Sequence, residues 1–282
     1  MEKEKGLLSL LTLCADDFGL NSAVNLGITK LVKAGRLNAV SCMAGAEAFA
    51  QGLPALIDAC EAAPLKVEIG LHLTLTEYRP LGRMKKLASK EKLPTVAALL
   101  LKSHLGLLDA QELRDELSRQ WEQFIAVVGQ KPDFIDGHQH IHLLPQIREC
   151  VVDLAKTEFQ DEGWVRSCYT PLAPLAAKGH SSLRLRIISH LAKHMVQLLA
   201  QAQIETNSYF YGINNFNKNE DFKRLMQDWV TLAKEHEEWA VIMCHPGQLP
   251  HEEGAEEGFY DPIKARRADE FEALLRRDYL NN

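Results

Sequence analysis

The stretch Pro132-Asp-Phe-Ile-Asp-Gly-His-Gln-His-Ile-His-Leu143 combines the two signals that organise this chain. Its first part alternates apolar residues, as a buried β-strand does, and Gly137 then loosens the backbone. The polar residues around this point are spaced by two positions: Asp136, His138, His140 and His142. In an extended backbone, that spacing places all four side chains on one face. The pattern therefore predicts a buried strand that ends in a metal-binding cluster.

The same succession of an apolar run and a polar residue occurs at three other places. Leu7–Ala15 leads into Asp16-Asp17, the segment Val67–Leu75 carries His72, and Val241–Cys244 precedes His245. In parallel α/β architectures, functional groups collect at the carboxyl ends of the strands. We therefore expect the four clusters to converge, although they are far apart in sequence.

Strand-like and helix-like segments alternate along the whole chain, which indicates a parallel sheet. An amphipathic helix is predicted over Glu112–Val128, for example, and a long helix over Ser182–Ala202. We predict an α/β fold: a distorted (β/α) barrel with about seven parallel strands, forming one domain over residues 1–282. An open doubly wound sheet is the alternative. The Lys-rich segment 78–103 is expected to lie over the mouth of the barrel, and residues 246–262 are expected to form another long loop.

Composition excludes several classes of function. The chain has 282 residues, 46% of them apolar, and a net charge of -6, without the basic tract typical of nucleic-acid binding. No apolar run is long enough for a membrane helix, and we interpret the first apolar run as a strand rather than a signal peptide. Six scattered cysteines without a CxxC motif predict buried free thiols and a cytoplasmic protein. A homodimer is compatible with the sequence, but no pattern demands one.

Each polar cluster also has a purely structural explanation. The Asp16-Asp17 pair could cap a helix, His72 could be a hydrogen-bonded core residue, and His245 could belong to a turn before Pro246. Three alternate histidines are rarely placed together for packing alone, so a metal is the stronger interpretation. A carboxylate and two imidazoles from Asp17, His72 and His138 would suit Zn²⁺, Fe²⁺, Mn²⁺ or hydrated Mg²⁺.

Taken together, these segments resemble the YdjC-like carbohydrate deacetylase family, which includes chitooligosaccharide deacetylases. The matching pieces are Ala15-Asp-Asp-Phe-Gly-Leu20, Gly70-Leu-His-Leu73, Asp136-Gly-His-Gln-His-Ile-His142 and Cys244-His-Pro-Gly247. They occur in the family's order and span nearly the whole chain. One departure is Cys14, where many members have Asn.

The resemblance implies a distorted (β/α) barrel and a metal-dependent hydrolase that removes acetyl groups from N-acetylated sugars. By position, Asp17, His72 and His138 match the metal ligands, Asp16 matches the carboxylate base, and His245 matches an active-site histidine. The resemblance favours Mg²⁺ as the single divalent ion, with Zn²⁺ as the alternative. The expected partner is a small acetylated saccharide.

The remaining polar residues near these strand ends are predicted to orient the substrate or to support the residues that do: Asp136, His140, His142 and Arg166. For the reaction we expect Asp16 to take a proton from water and His245, as imidazolium, to protonate the leaving amine. A phosphoesterase or an amidohydrolase acting on another small substrate is the alternative enzyme. A sugar-binding module with a structural metal would need four ligands in a closed site, whereas only three good ligands are evident.

Overall fold

Seven parallel strands organise the computed structural model, which describes residues 10–88, 91–160, 162–216, 220–248, 261–277 and 279. The strands are β1 (Leu11–Phe18), β2 (Ala39–Cys42), β3 (Glu68–Leu73), β4 (Phe134–Gly137), β5 (Trp164–Val165), β6 (Tyr209–Tyr211) and β7 (Ala240–Cys244). They form one sheet in the order β5-β4-β3-β2-β1-β7-β6. Most residues of each strand are buried and apolar. Such continuous apolar runs are typical of strands that are covered on both faces of the sheet.

The sheet curls into a half-barrel, and its two edge strands approach each other. A single parallel bridge joins Trp164 at β5 to Glu205, just before β6. Farther along, the backbone N–H of Phe210 donates to the carbonyl of Tyr169 at 2.7 Å. These contacts bring the edges together without a continuous ladder. The predicted α/β fold, a distorted (β/α) barrel with about seven parallel strands, is confirmed.

Helices follow most of the strands. They are α1 (Ser22–Lys33), α2 (Glu47–Ala62), α3 (Val96–His104), α4 (Ala110–Val128), α5 (Ile147–Glu158), α6 (Leu172–Ala177), α7 (Leu183–Ala202), α8 (Phe222–His236) and α9 (Lys264–Arg276). The cap of α1 is Asn21, whose side chain accepts a hydrogen bond from the backbone N–H of Val24. Asp16 and Asp17 lie inside β1 and cap no helix, so the capping interpretation is wrong.

Close packing of β3 against β4 sets the register of the site. Gly70 of β3 lies against the ring of Phe134, where a Cβ atom would come within 2.3 Å of the ring. Phe134 in turn stacks on Trp164 of β5, with ring centroids 4.5 Å apart. Burying each such ring contributes about 1.5–3 kcal/mol. In this register His72 pairs with Asp136 across the two strands.

The backbone after β4 differs from the prediction. The strand ends at Gly137, and His138–Leu143 forms a short 3-10 turn. Within it, Gln139 and His140 take left-handed φ angles of 56° and 60°. Because the chain is not extended here, the expectation that Asp136 and the three histidines share one face is wrong. The turn directs the histidines to different neighbours.

The structure bears on two predicted loops. The first is partly helical, and the second lies partly outside the described residues. The last part of segment 78–103, from Val96 onward, belongs to helix α3. Before the helix, the N–H of Leu93 donates to the carbonyl of Tyr78 at 2.8 Å. Of the predicted loop 246–262, residues 249–260 lie outside the described residues, as do 7–9 of the first predicted strand. All six cysteines are free and five of them are buried, as predicted.

In the part of the chain that the structure describes, no helix combines the length and apolarity needed to cross a membrane.

Candidate functional site

The carboxyl ends of β1, β3 and β4 bring Asp17, His72 and His138 together. Oδ1 of Asp17 lies 2.8 Å from Nδ1 of His138 and 3.3 Å from Nε2 of His72. Asp17 has a φ of 70°, and the pairing of β1 with β2 shifts register between Ala15 and Phe18. This irregularity turns the Asp17 carboxylate toward the two imidazoles. Three residues from distant parts of the sequence thereby share one point.

His72 is held in a defined orientation by contacts to its Nδ1 side. Its Nδ1–H donates to Oδ1 of Asp136 at 2.6 Å, and the hydroxyl of Ser41 donates to the same oxygen at 2.5 Å. The ring therefore presents Nε2 to Asp17. Burial would lower the pKa of His72, but the charge and hydrogen bond of Asp136 outweigh burial and raise it to about 10. A cation bound at Nε2 would therefore displace a proton.

Asp17 is almost fully buried, and its neighbours are one guanidinium and two imidazoles. Burial would raise its pKa, but His138 and Arg267 outweigh that effect and hold the pKa well below the usual range. Nη2 of Arg267 donates to Oδ2 of Asp17 at 2.7 Å. Asp17 is thus a carboxylate with one oxygen paired to a guanidinium and the other facing the imidazoles.

This donor set fits a divalent cation. One ligand atom from each of Asp17, His72 and His138 lies within 4.8 Å of the other two. Among the described residues this group has two imidazoles and one carboxylate, a set that leaves coordination positions for water or substrate. Asp136 behind His72 forms the carboxylate–histidine arrangement that orients many metal-binding imidazoles. The residue types present at this point therefore fit a divalent cation.

A second group of acidic and thiol side chains lies beside the first. It comprises Cys14, Asp16 and Asp136, whose ligand atoms also lie within 4.8 Å of one another. Arg166 fills this group: its Nη1 and Nη2 donate to the two oxygens of Asp16 at 2.7 and 2.8 Å, and Nη2 lies 2.6 Å from Oδ2 of Asp136. The same nitrogen is 3.0 Å from the sulfur of Cys14. A guanidinium thus already supplies the positive charge that these carboxylates require.

Arg166, Asp136 and His142 have no exposed surface. Nε2–H of His142 donates to the carbonyl of Arg166 at 3.0 Å, which ties the turn after β4 to the end of β5. Burial lowers the pKa of His142 to about 4. Substrate contact by these three residues stays a prediction, and their burial favours a supporting role.

His140 is the remaining histidine of the motif and lies at the edge of the cavity. Its Nδ1 is 3.5 Å from the sulfur of Cys168, and its ring meets Phe210 edge-on at 5.8 Å. Burial, with Arg184 adding to the effect, holds the pKa of His140 well below its usual range. A neutral imidazole at this position can exchange hydrogen bonds with an uncharged ligand.

His245 follows β7 and faces the same cavity. Its backbone N–H donates to Oε2 of Glu270 in α9 at 2.5 Å. Burial lowers the pKa of His245 to about 4, although Asp17 and Asp16 act in the opposite direction. Proton donation by a His245 imidazolium stays a prediction, and burial disfavours the charged ring.

A pocket of about 220 Å³ opens beside this group, and His72, Asp136, His142 and Arg166 do not line it. Among the predicted site residues, its walls include Asp16, Asp17, His138, His140 and His245. Further wall residues that the sequence reasoning missed are Glu77, Tyr78, Arg184, Phe216, Asp261 and Arg267. A larger cavity, of about 660 Å³, opens elsewhere, near Leu11 and Leu37. It contains no predicted site residue, so size does not identify the functional pocket.

Comparisons with known proteins show what this chain is similar to. The model of the family described as YdjC-like protein matches residues 10–281. Chitooligosaccharide deacetylases of Serratia marcescens and Yersinia pestis (strain Pestoides F) are each 34% identical to this chain, over 149 and 152 residues. These matches cover 53% and 52% of this chain and 56% of each relative, so the chain spans about half the length of the curated relatives it matches.

One solved structure has the same fold over nearly the full length. It is described as a candidate cellobiose-phosphate cleavage protein from Enterococcus faecalis V583, and it superposes with a TM-score of 0.67 at 18% sequence identity. The superposition covers 96% of this chain and 92% of that chain. At this identity the likeness is one of fold.

Proposed function

Because the chain belongs to the YdjC-like family, we propose that it is a metal-dependent hydrolase that removes the acetyl group from an N-acetylated sugar, such as a chitooligosaccharide. The names of the two curated relatives support the substrate class. The observation that carries the proposal is the meeting of Asp17, His72 and His138 at one point beside the pocket. We propose Mg²⁺ as the ion, with Zn²⁺ as the alternative, and a cytoplasmic location.

Asp17, His72 and His138 would hold the ion. A bound divalent cation supplies Lewis-acid polarisation of an acyl oxygen and lowers the pKa of water. The chain itself supplies the proton transfers and the positioning. Asp16 lies on the pocket wall with its carboxylate fixed by the two nitrogens of Arg166. In the proposed reaction, Asp16 accepts the proton of the attacking water.

His245 is proposed to deliver a proton to the leaving sugar nitrogen. Since burial disfavours its charged form, His245 first accepts the proton that Asp16 has taken from water, which restores the Asp16 carboxylate, and then donates that proton to the nitrogen as the C–N bond breaks. A neutral imidazole has both a lone pair and an N–H, so it can relay a proton in this way. Its position next to Asp16 and Asp17 in the pocket wall supports that role.

The other predicted substrate residues divide into two groups. His140 lies in the pocket wall and is proposed to hydrogen-bond the sugar. The other group is fully buried and comprises Asp136, His142 and Arg166. We propose that these residues position the side chains that line the site. Asp136 orients His72, whereas Arg166 orients Asp16.

The test is acetate release from N-acetylglucosamine oligomers. The purified protein is assayed as isolated, after chelation, and after Mg²⁺ or Zn²⁺ is added back, alongside the variants Asp17→Asn and His190→Ala. His190 is an exposed histidine of α7 outside the pocket and serves as the control. We expect metal-dependent acetate release that Asp17→Asn abolishes and His190→Ala retains. Cleavage of a chromogenic phosphate ester, without acetate release, would favour the phosphoesterase alternative instead.

A further inference from the structure

Helix α9 contributes a buried cation to the candidate metal site. Arg267 is 4% exposed, and its Nη2 donates to Oδ2 of Asp17 at 2.7 Å. Its Nε donates to Oδ2 of Asp261 at 2.7 Å. One guanidinium therefore joins two carboxylates, both of which lie in the pocket wall.

The backbone of Arg267 is held as firmly as its side chain. Its carbonyl accepts a hydrogen bond from the N–H of Gly247 at 3.1 Å, and its own N–H donates to the carbonyl of Ile263 at 2.9 Å. Gly247 lies two residues beyond His245, and a Cβ atom there would come within 3.3 Å of the Arg267 side chain. The first turn of α9 is thus fixed against the segment that follows β7.

This arrangement divides the two oxygens of Asp17 between two tasks. Oδ2 is occupied by Arg267, so only Oδ1 is directed to His138 and His72. A fixed guanidinium on one oxygen prevents the carboxylate from rotating to offer both oxygens to an ion. Its positive charge also repels a cation bound at the other oxygen.

We propose that Arg267 is a positioning residue that restricts Asp17 to one coordinating oxygen and weakens the binding of the ion while fixing its place. This inference rests on the proposed function, since it concerns the same ion. Arg267 acts through Asp17, and it keeps the cation where Asp16 and His245 can serve the same substrate. A looser carboxylate would bind a cation more tightly but in a less productive position.

The test compares three variants of the purified, metal-free protein. Arg267→Gln removes the charge, Arg267→Lys keeps the charge but loses the planar fork that joins Asp17 to Asp261, and Arg276→Gln is the control. Arg276 lies on the same helix, where it is exposed and forms an ion pair with Glu272 at 3.4 Å. Zn²⁺ and Mg²⁺ are titrated separately by calorimetry, and acetate release is measured on the metal-loaded proteins.

We expect opposite effects on affinity and turnover. Arg267→Gln should bind the ion at least about tenfold more tightly, because a repelling charge is gone. Its kcat should fall about 10²-fold, because displacing a catalytic group by about 1 Å reduces the rate by about that factor. Arg267→Lys should keep the wild-type affinity within about threefold and still lose turnover, whereas Arg276→Gln should match the wild type in both measurements.

An affinity of Arg267→Gln equal to or weaker than that of the wild type would overturn the proposal. A wild-type level of turnover in Arg267→Lys would overturn the geometric part of it. Absence of ion binding by the wild type would overturn both this inference and the proposed function. If the wild type binds the ion but releases no acetate, the proposed function fails, while the affinities of the two Arg267 variants still decide this inference.

Discussion

Asp136 and His72 face each other across β4 and β3, and Oδ1 of Asp136 accepts a hydrogen bond from Nδ1 of His72 at 2.6 Å. This single contact determines which nitrogen of His72 meets Asp17. It depends in turn on the strand register, because a shift of one residue would place the two side chains on opposite faces of the sheet. The fold and the proposed metal chemistry are therefore linked at this pair.

Asp136→Asn should weaken ion binding. Residues that orient metal-binding histidines typically contribute 10- to 100-fold in affinity, and we expect a loss of about that size for Zn²⁺. Calorimetric titration measures this loss of affinity, with Asp153→Asn as the control. Asp153 is exposed on α5, and its ion pair with Arg114 is long, at 3.7 Å. An unchanged affinity in Asp136→Asn would contradict the proposed orienting role.

Asp16→Asn and Asp17→Asn should separate the two neighbouring carboxylates. Asp16→Asn should lower kcat by about 10²–10⁴-fold, the usual contribution of a positioned base, while the bound metal is retained. Asp17→Asn should lose the metal itself, because it removes a ligand. Elemental analysis of the purified variants, together with acetate release, distinguishes them. Metal loss in Asp16→Asn with retention in Asp17→Asn would mean that the two roles are reversed.

Glu270 should make the stability of the protein depend on pH. Burial raises the pKa of this carboxyl from 4.5 to about 7, although the N–H of His245 and the charges of Arg266 and Arg267 act in the opposite direction. Because the folded state holds the proton more strongly than the unfolded state, folding is favoured by this group below about pH 4.5. That stabilisation is lost as the pH rises through about 7, and it amounts to roughly 3 kcal/mol.

Urea unfolding of the wild type and of Glu270→Gln, at pH 4.5 and pH 8, checks this sign. Gln cannot ionise, so the wild type should lose roughly 3 kcal/mol of unfolding free energy relative to the variant between these two pH values. A constant difference between the two proteins would show that Glu270 keeps an ordinary pKa in the folded state.

Gly70→Ala should destabilise the protein and disturb the site together. The added Cβ would approach the Phe134 ring to 2.3 Å, which forces β3 away from β4. Overpacking of this kind costs about 1–3 kcal/mol. Thermal unfolding should show the loss, and Zn²⁺ affinity should fall as His72 moves from Asp136. As a control, Gly45→Ala is suitable, because a Cβ there would lie 3.6 Å from the Leu81 side chain, an ordinary van der Waals distance. Equal melting temperatures for Gly70→Ala and wild type would contradict this packing.

Much of the fold follows from local sequence signals. Alternating short apolar runs and amphipathic helices are enough to predict a parallel α/β sheet, because each strand must be buried on both faces. The carboxyl ends of these strands also locate Asp17, His72 and His138 at one edge. These residues meet in the structure because the topology, which is itself predictable, leaves few other places for them.

The turn after β4 could not be predicted in the same way. The spacing of His138, His140 and His142 fits a strand, but Gln139 and His140 adopt left-handed conformations. Such φ angles are uncommon in residues other than glycine, so the spacing of the histidines alone does not indicate them. Tertiary contacts, such as the one between His142 and the carbonyl of Arg166, accompany this turn.

The sequence also does not predict that the charged residues Arg267 and Glu270 are buried at the site. Arg267 and Glu270 lie in a helix rich in charged residues, which reads as a solvated surface helix. Only the packing of α9 on the end of β7 shows that both are buried and face Asp17 and His245. The sequence does offer a signal for Ser41, which donates a hydrogen bond to Asp136, because it is a polar residue inside an apolar strand.

The most direct test of the central claim is an anomalous difference map from crystals of the wild-type protein soaked in Mn²⁺. We predict one strong peak bonded to Oδ1 of Asp17, Nε2 of His72 and the ring of His138, with Oδ2 of Asp17 still on Arg267. A peak among Cys14, Asp16 and Asp136 instead, or no peak at this edge of the sheet, would contradict the account.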